Sequence, residues 1–180
     1  MTKEHVVPES FCIPPFYHKG SVLPYVVIKE EQTLQSLWDD GYFLFDIIYN
    51  MNEKNIYIQR PWEKKDELVQ EVLYLWNNDG KPFLTECYKA RNRKKASPMM
   101  KKYISIYIQT MFWLTNNYVR SLKNVGAELE KTSFSPLNIK ERMEFMLQAP
   151  DHHHSFATLT QLFDESRKKW ALYYSNSRKY

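Results

Sequence analysis

An all-α fold is predicted for this chain by three observations. The stretch from Met99 to Asn124 contains neither Gly nor Pro, and its apolar residues recur at Tyr103, Ile104, Tyr107, Ile108, Met111, Phe112, Tyr118, Val119 and Leu122. That is helical spacing sustained over several turns. Only 4 glycines occur in 180 residues, too few for the tight turns of an all-β protein or for Gly-rich phosphate loops. Pro61, Pro82, Pro98, Pro136 and Pro150 each stand shortly before a helix-like segment, where the missing N–H has no intrahelical partner to lose. Together these predict a single bundle of five to seven helices around a long central helix over residues 99–124.

The central helix has two competitors. Ile104, Ile106 and Ile108 alternate as a strand would, but strands run only about 3–10 residues. A membrane span needs about 20 mostly apolar residues, and Ser105 and Gln109 interrupt the densest part. Ile106 and Trp113 lie off the main stripe, so contact on two faces is expected, with Phe112 and Trp113 buried. Ser97 is the expected N-cap, with Pro98 at the first helical position.

The remaining elements follow in order. Residues 1–24 hold Pro8, Pro14, Pro15 and Pro24 beside Phe11, Cys12, Ile13, Phe16 and Tyr17. Proline forbids regular helix, so this is an extended arm, and its apolar side chains call for a groove, on the helical domain formed by residues 25–180 or on a partner. Tyr25–Lys29 and Asn55–Arg60 are short apolar runs that could pair as a small ribbon. Between them Leu34, Leu37, Trp38, Tyr42, Phe45, Ile48 and Tyr49 keep a helical stripe, interrupted by Asp39-Asp40-Gly41, where either a break or a Gly-weakened helix can stand. Trp62–Asn77 carries acids early, where the helix dipole favours them, and Asn77-Asn78-Asp79-Gly80 is expected to end it. Pro82 opens a helix with Phe83, Leu84, Cys87 and Tyr88 inward. Gly126 lies just past the central helix. Leu137–Gln148 and Ser155–Ser175 complete the bundle, the latter with Phe156, Leu159, Phe163, Trp170 and Tyr173 inward.

Charge is distributed unevenly. Residues 1–80 carry 7 Lys/Arg against 13 Asp/Glu, and residues 81–180 carry 18 against 8. The net charge of +4 therefore conceals −6 and +10. Either the two halves face each other within one fold, or the second offers a surface to polyanions. Its densest part is Lys89, Arg91, Arg93, Lys94, Lys95, Lys101 and Lys102, seven cations within 14 residues and no acid. Phosphate backbones are bound through such density. Arg91, Lys94 and Lys95 prolong the face of Leu84, Cys87 and Tyr88. Unpaired charges cannot follow that stripe into a core, so the helix must stop near Arg91 or project. A solvated helix end is the plainer reading of the same residues.

Other chemistry is thin. Asp151-His152-His153-His154 lacks any accompanying ligand motif, and consecutive histidines point apart; no metal is predicted, and Asp151 or Ser155 is the expected cap of the last helix. There is no nucleophile elbow, P-loop or GxGxxG, so no catalytic residue and no cofactor is predicted. Cys87 reads as a core residue, and Cys12 with Cys87 implies no disulfide framework. The N-terminus shows no signal-peptide apolar region, so a cytoplasmic location is expected.

Three stretches carry a family resemblance: Phe11–Gly20 (FCIPPFYHKG), Pro61–Phe83 (PWEKKDELVQEVLYLWNNDGKPF) and Leu159–Trp170 (LTQLFDESRKKW). In their order the chain resembles the YpoC-like proteins of Bacillus-type bacteria. The resemblance implies a small cytoplasmic helical protein of a Gram-positive bacterium, with no established catalytic residues to carry over. It also implies genes lying near those for DNA repair and cell-wall synthesis. The expected function is a non-enzymatic module that binds a protein partner. The alternative is a sequence-nonspecific nucleic-acid accessory protein using residues 89–102.

Overall fold

A computed structural model describes residues 5–23, 33–51 and 60–177. The 24/25 boundary, the run Tyr25–Lys29 and most of Asn55–Arg60 lie outside the described residues, as does the side chain of Tyr173. Among the described residues the chain is helical, with one isolated antiparallel bridge, Val6 to Val22, and no strand. The helices are α1 (Leu34–Asp40), α2 (Leu44–Asn50), α3 (Lys65–Leu75), α4 (Lys81–Lys89), α5 (Arg93–Trp113), α6 (Val125–Glu130), α7 (Ile139–Gln148) and α8 (His153–Ser177).

Helix α5 is the axis of the fold. It touches α1, α3, α4, α6 and α8, and every residue from Tyr103 to Met111 is buried. Contact therefore surrounds it rather than reaching two faces. Two of its buried polar residues are satisfied locally: Ser105 donates to the Lys102 carbonyl and Thr110 to that of Ile106. Trp113 is fully buried, whereas Phe112 is only half covered.

The central helix is displaced from the expected 99–124. It begins at Arg93 because Asn92, not Ser97, is the N-cap, its side-chain oxygen accepting from the Lys95 amide at 3.0 Å. Ala96 and Met100 are fully buried and anchor the two added turns. Pro98 sits inside the helix on an exposed position. It has no amide to donate to the Lys94 carbonyl, and water can serve that group. The helix ends at Trp113 because Asn116 adopts the left-handed conformation, φ 60°. The amides of Asn116 and Asn117 then bond back to the carbonyls of Trp113 and Phe112, the usual helix-stop pattern, in which Asn is tolerated after Gly.

A second correction concerns Asn77–Gly80, which does not end a helix. After a short 3₁₀ turn (Pro61–Lys64), α3 runs through a π turn (Trp76–Gly80) directly into α4, giving one continuous rod. Tyr103 explains this. Its hydroxyl donates at 3.0 Å to the Leu75 carbonyl and reaches Asp79 Oδ2 at 2.9 Å. Its ring lies so close to Gly80 that a Cβ there would stand 2.3 Å from it. Gly126, expected beyond the central helix, lies within α6.

Of the two readings of Asp39–Gly41, a break or a Gly-weakened helix, the structure has the break, which separates α1 from α2. Residues 5–23 lie against the helices, with Val7, Phe11, Phe16 and Tyr17 in the common core. The ends of this segment are tied together, Val7 N–H to the Ser21 carbonyl and Leu23 N–H to that of His5, both at 2.8 Å. Its body is tied to the helices by the Tyr17 hydroxyl, which donates to the Tyr42 carbonyl and accepts from the Tyr42 amide.

Helix α4 stops at Lys89 by the same hydrogen-bond pattern as α5. The Arg91 amide bonds the Tyr88 carbonyl and the Asn92 amide that of Cys87. Here the left-handed residue is Arg91, φ 52°, a conformation costing roughly 1–2 kcal/mol for a residue with a Cβ. Arg91→Gly should therefore raise the unfolding free energy by about 1 kcal/mol. Urea unfolding checks this, and a destabilised variant would show that the arginine side chain matters more than its backbone.

Candidate functional site

The seven cations of the basic segment fall on the corner between α4 and α5, and the structure divides them. Lys89 pairs with Glu86 at 2.8 Å, Arg93 with Asp151 at 2.9 Å, and Lys102 with Asp39. Lys95 lies over the Phe83 ring, 5.3 Å from its centroid. Arg91, Lys94 and Lys101 have no acidic partner among the described residues. Lys94 and Lys101 are one heptad apart on α5, with exposed Pro98 between them. The corner is thus a thinly charged stripe beside half-buried Phe83 and Met99.

The cations of α8 do not join this stripe. The start of α8 abuts the corner, where His153 packs edge-on against Tyr88 and Asp151 holds Arg93. Arg167 lies about 20 Å further along the helix at 1.5 Å per residue, and Lys169 is bonded to the Ser135 carbonyl.

The triple histidine is dispersed. His153 packs on Tyr88 and His154 on Phe145, while His152 is exposed. Neither expected cap of α8 acts as one: Ser155 donates backwards to the Ala149 carbonyl at 2.6 Å, and the Asp151 carboxylate is spent on Arg93. Among the described residues no group of three His, Cys, Asp or Glu could hold a metal ion. Cys87 is buried, and both cysteines are free thiols. Tyr88 donates to the Asp151 carbonyl, and burial with the adjacent Asp151 charge pushes its phenol up to about 12.

The most unusual ionisable group was not among the predicted site residues. Asp46 on α2 is 0% exposed. It accepts from Gln109 Nε2 at 2.7 Å on one oxygen, and from Trp113 Nε1 at 3.0 Å and the Val119 amide at 2.7 Å on the other. Gln109 in turn accepts from Trp38 Nε1 at 3.1 Å. Asn50 donates to the Asp46 and Val119 carbonyls. The sequence signal was an acid inside the apolar run Phe43–Ile48. A buried acid without a cation must be saturated by donors, and here α5 supplies two and the segment that follows it the third.

Burial outweighs these three donors and lifts the Asp46 carboxyl to about 6. The native state therefore holds a proton that the unfolded chain releases near its ordinary pKa of about 4. The resulting contribution to stability is full below about pH 4 and is lost as pH rises through about 6. Wild-type protein should be about 1 kcal/mol more stable at pH 5 than the Asp46→Asn variant's own pH dependence accounts for, relative to pH 7. Urea midpoints of both proteins at the two pH values check this.

The family model described as YpoC-like protein matches residues 66–178, from the start of α3 to the end of α8. The chain belongs to the YpoC-like family. It is 29% identical over 120 residues to the uncharacterized protein YpoC of Bacillus subtilis (strain 168), covering 66% of this chain and 71% of that protein. No solved structure matches. The matched region of this YpoC-like chain contains the basic corner and Gln109 and Trp113, while Asp46 lies before it. No helix among the described residues is long and apolar enough to cross a membrane.

Proposed function

We propose that the protein is a non-enzymatic, cytoplasmic interaction module that docks an acidic protein segment on the α4–α5 corner. One observation carries the reading. Four of the corner's seven cations are occupied within the fold, leaving Arg91, Lys94 and Lys101 spaced along a stripe that also offers Pro98 and the edges of Phe83 and Met99. Sparse charge beside apolar surface suits a protein partner better than a phosphate backbone, whose affinity rests on the number of charges neutralised. The sealing of Asp46 and Cys87 in the core supports a non-enzymatic role, since neither reaches a substrate. Two free thiols, Cys12 and Cys87, suit a reducing compartment.

The nucleic-acid reading is favoured by the same three free cations and is separable by its salt dependence. Three phosphate contacts give a log–log slope of about −3 on duplex DNA. The expected result of a gel shift is no retained DNA or RNA at physiological salt. Retention with that slope, abolished by replacing Arg91, Lys94 and Lys101 with Gln, would transfer the function to nucleic acid.

A further inference from the structure

We propose that a cleft at the other end of α4 binds a small phosphorylated hydroxy compound. The cleft lies where α3, the π turn and α4 meet α8, and has a volume of about 250 Å³. That is just below the range of drug-sized pockets, roughly 300–1,000 Å³, and fits a compact metabolite. Its walls are Trp76 and Phe163, buried and stacked with centroids 4.5 Å apart at 15°. Asn77, Lys81, Asp164 and Arg167 stand around them.

None of those four side chains is engaged in a hydrogen bond or ion pair among the described residues. The neighbouring acid Glu165 does hold a cation, pairing with Arg142 at 3.0 Å between α7 and α8. In the cleft, Asp164 shares walls with two cations and pairs with neither. A gap between opposite charges is what a bridging ligand fills.

Trp76 is 1% exposed and its indole N–H is sealed from solvent, so its ring backs the cleft as a reporter of occupancy and not as a ligand donor. The π turn that shapes the cleft matters as well, because such turns recur at functional sites.

The inventory selects the ligand. Arg167 offers the planar fork that matches phosphate oxygens, and Lys81 a second positive charge. The Asn77 amide adds donors. Asp164 can only accept when ionised, so it calls for a ligand hydroxyl. A phosphate with a hydroxyl a few bonds away satisfies all four. This site is independent of the protein-docking corner, and either can fail alone.

The test follows the five tryptophan indole signals in ¹H–¹⁵N spectra of the full chain during titration with glycerol 3-phosphate at fixed ionic strength. Trp76→Phe assigns the signal, and Trp170, whose indole N–H is also buried without an acceptor, is the control. The expected result is a saturable shift of the Trp76 signal with Trp170 unmoved. Arg167→Gln or Lys81→Gln should weaken binding about tenfold or more while leaving the other indole signals in place. Inorganic phosphate should bind more weakly than glycerol 3-phosphate, and Asp164→Ala should remove that difference. No saturable shift at millimolar ligand, or equal affinity in wild type and both cation variants, would overturn the proposal.

Discussion

Asp46→Ala is expected to lower the unfolding free energy by about 3–5 kcal/mol, the range for breaking one side of a buried charged network. The loss has little to do with the volume removed. Three donors, from Gln109, Trp113 and the Val119 amide, would be left facing a small cavity. Each unsatisfied buried donor costs about 1–3 kcal/mol, less where water enters. Asp46→Asn should be milder, at about 1–3 kcal/mol. Its oxygen can keep the Trp113 and Val119 bonds, but its amide nitrogen then meets the donor end of Gln109. Gln109 cannot turn round without losing Trp38. Urea unfolding of both variants at pH 7 gives the ordering, and equal losses would mean that cavity rather than donor count dominates.

Trp113→Ala should cost about 3–5 kcal/mol, as truncating a large core aromatic does. Trp113 is stacked on Trp38 at 6.1 Å and meets Phe45 edge-on at 5.6 Å. Trp113→Phe keeps most of that contact but withdraws one donor from Asp46, so it should cost about 1–3 kcal/mol. Because Trp113 and Asp46 share a hydrogen bond, the double variant Asp46→Ala/Trp113→Ala should lose less than the sum of the singles. An unchanged melting temperature for Trp113→Ala would contradict the placement of α5 at the centre.

What could be read from the sequence depended on whether a residue's partner was local. The burial of Trp113, Ile104 and Ile108 was legible because apolar periodicity is a property of the helix itself. At Gly41 the same periodicity ran on across the site, so the sequence left a break and a Gly-weakened helix as alternatives. The end of α5 was not legible, since Tyr118, Val119 and Leu122 continue the helical spacing and nevertheless lie outside any helix. Their backbone is held by distant groups: Val119 by Asp46 and Asn50, and Leu122 by the Ser10 carbonyl at 2.8 Å. Asn116 alone marked the stop locally. The π turn was misread because Tyr103, which needs Gly80, is 23 positions away.

The basic corner shows the same division. Its seven cations could be counted, and the rule against burying charge left a helix that stops near Arg91 or one that projects, of which the structure has the first. Which cations remain free could not be counted, because Asp39 and Asp151 come from other elements. Pairing with them turns a dense polycation into three spaced charges, and that difference underlies the choice of a protein partner over nucleic acid.

The docking claim is tested most directly by photocrosslinking in the cell of origin, with a benzoylphenylalanine placed in turn at Lys94 and Lys101. The account predicts a discrete adduct that is destroyed by protease, survives nuclease, and disappears when the remaining two of Arg91, Lys94 and Lys101 are changed to Glu. Adducts sensitive to nuclease, or adducts untouched by the charge reversal, would contradict it.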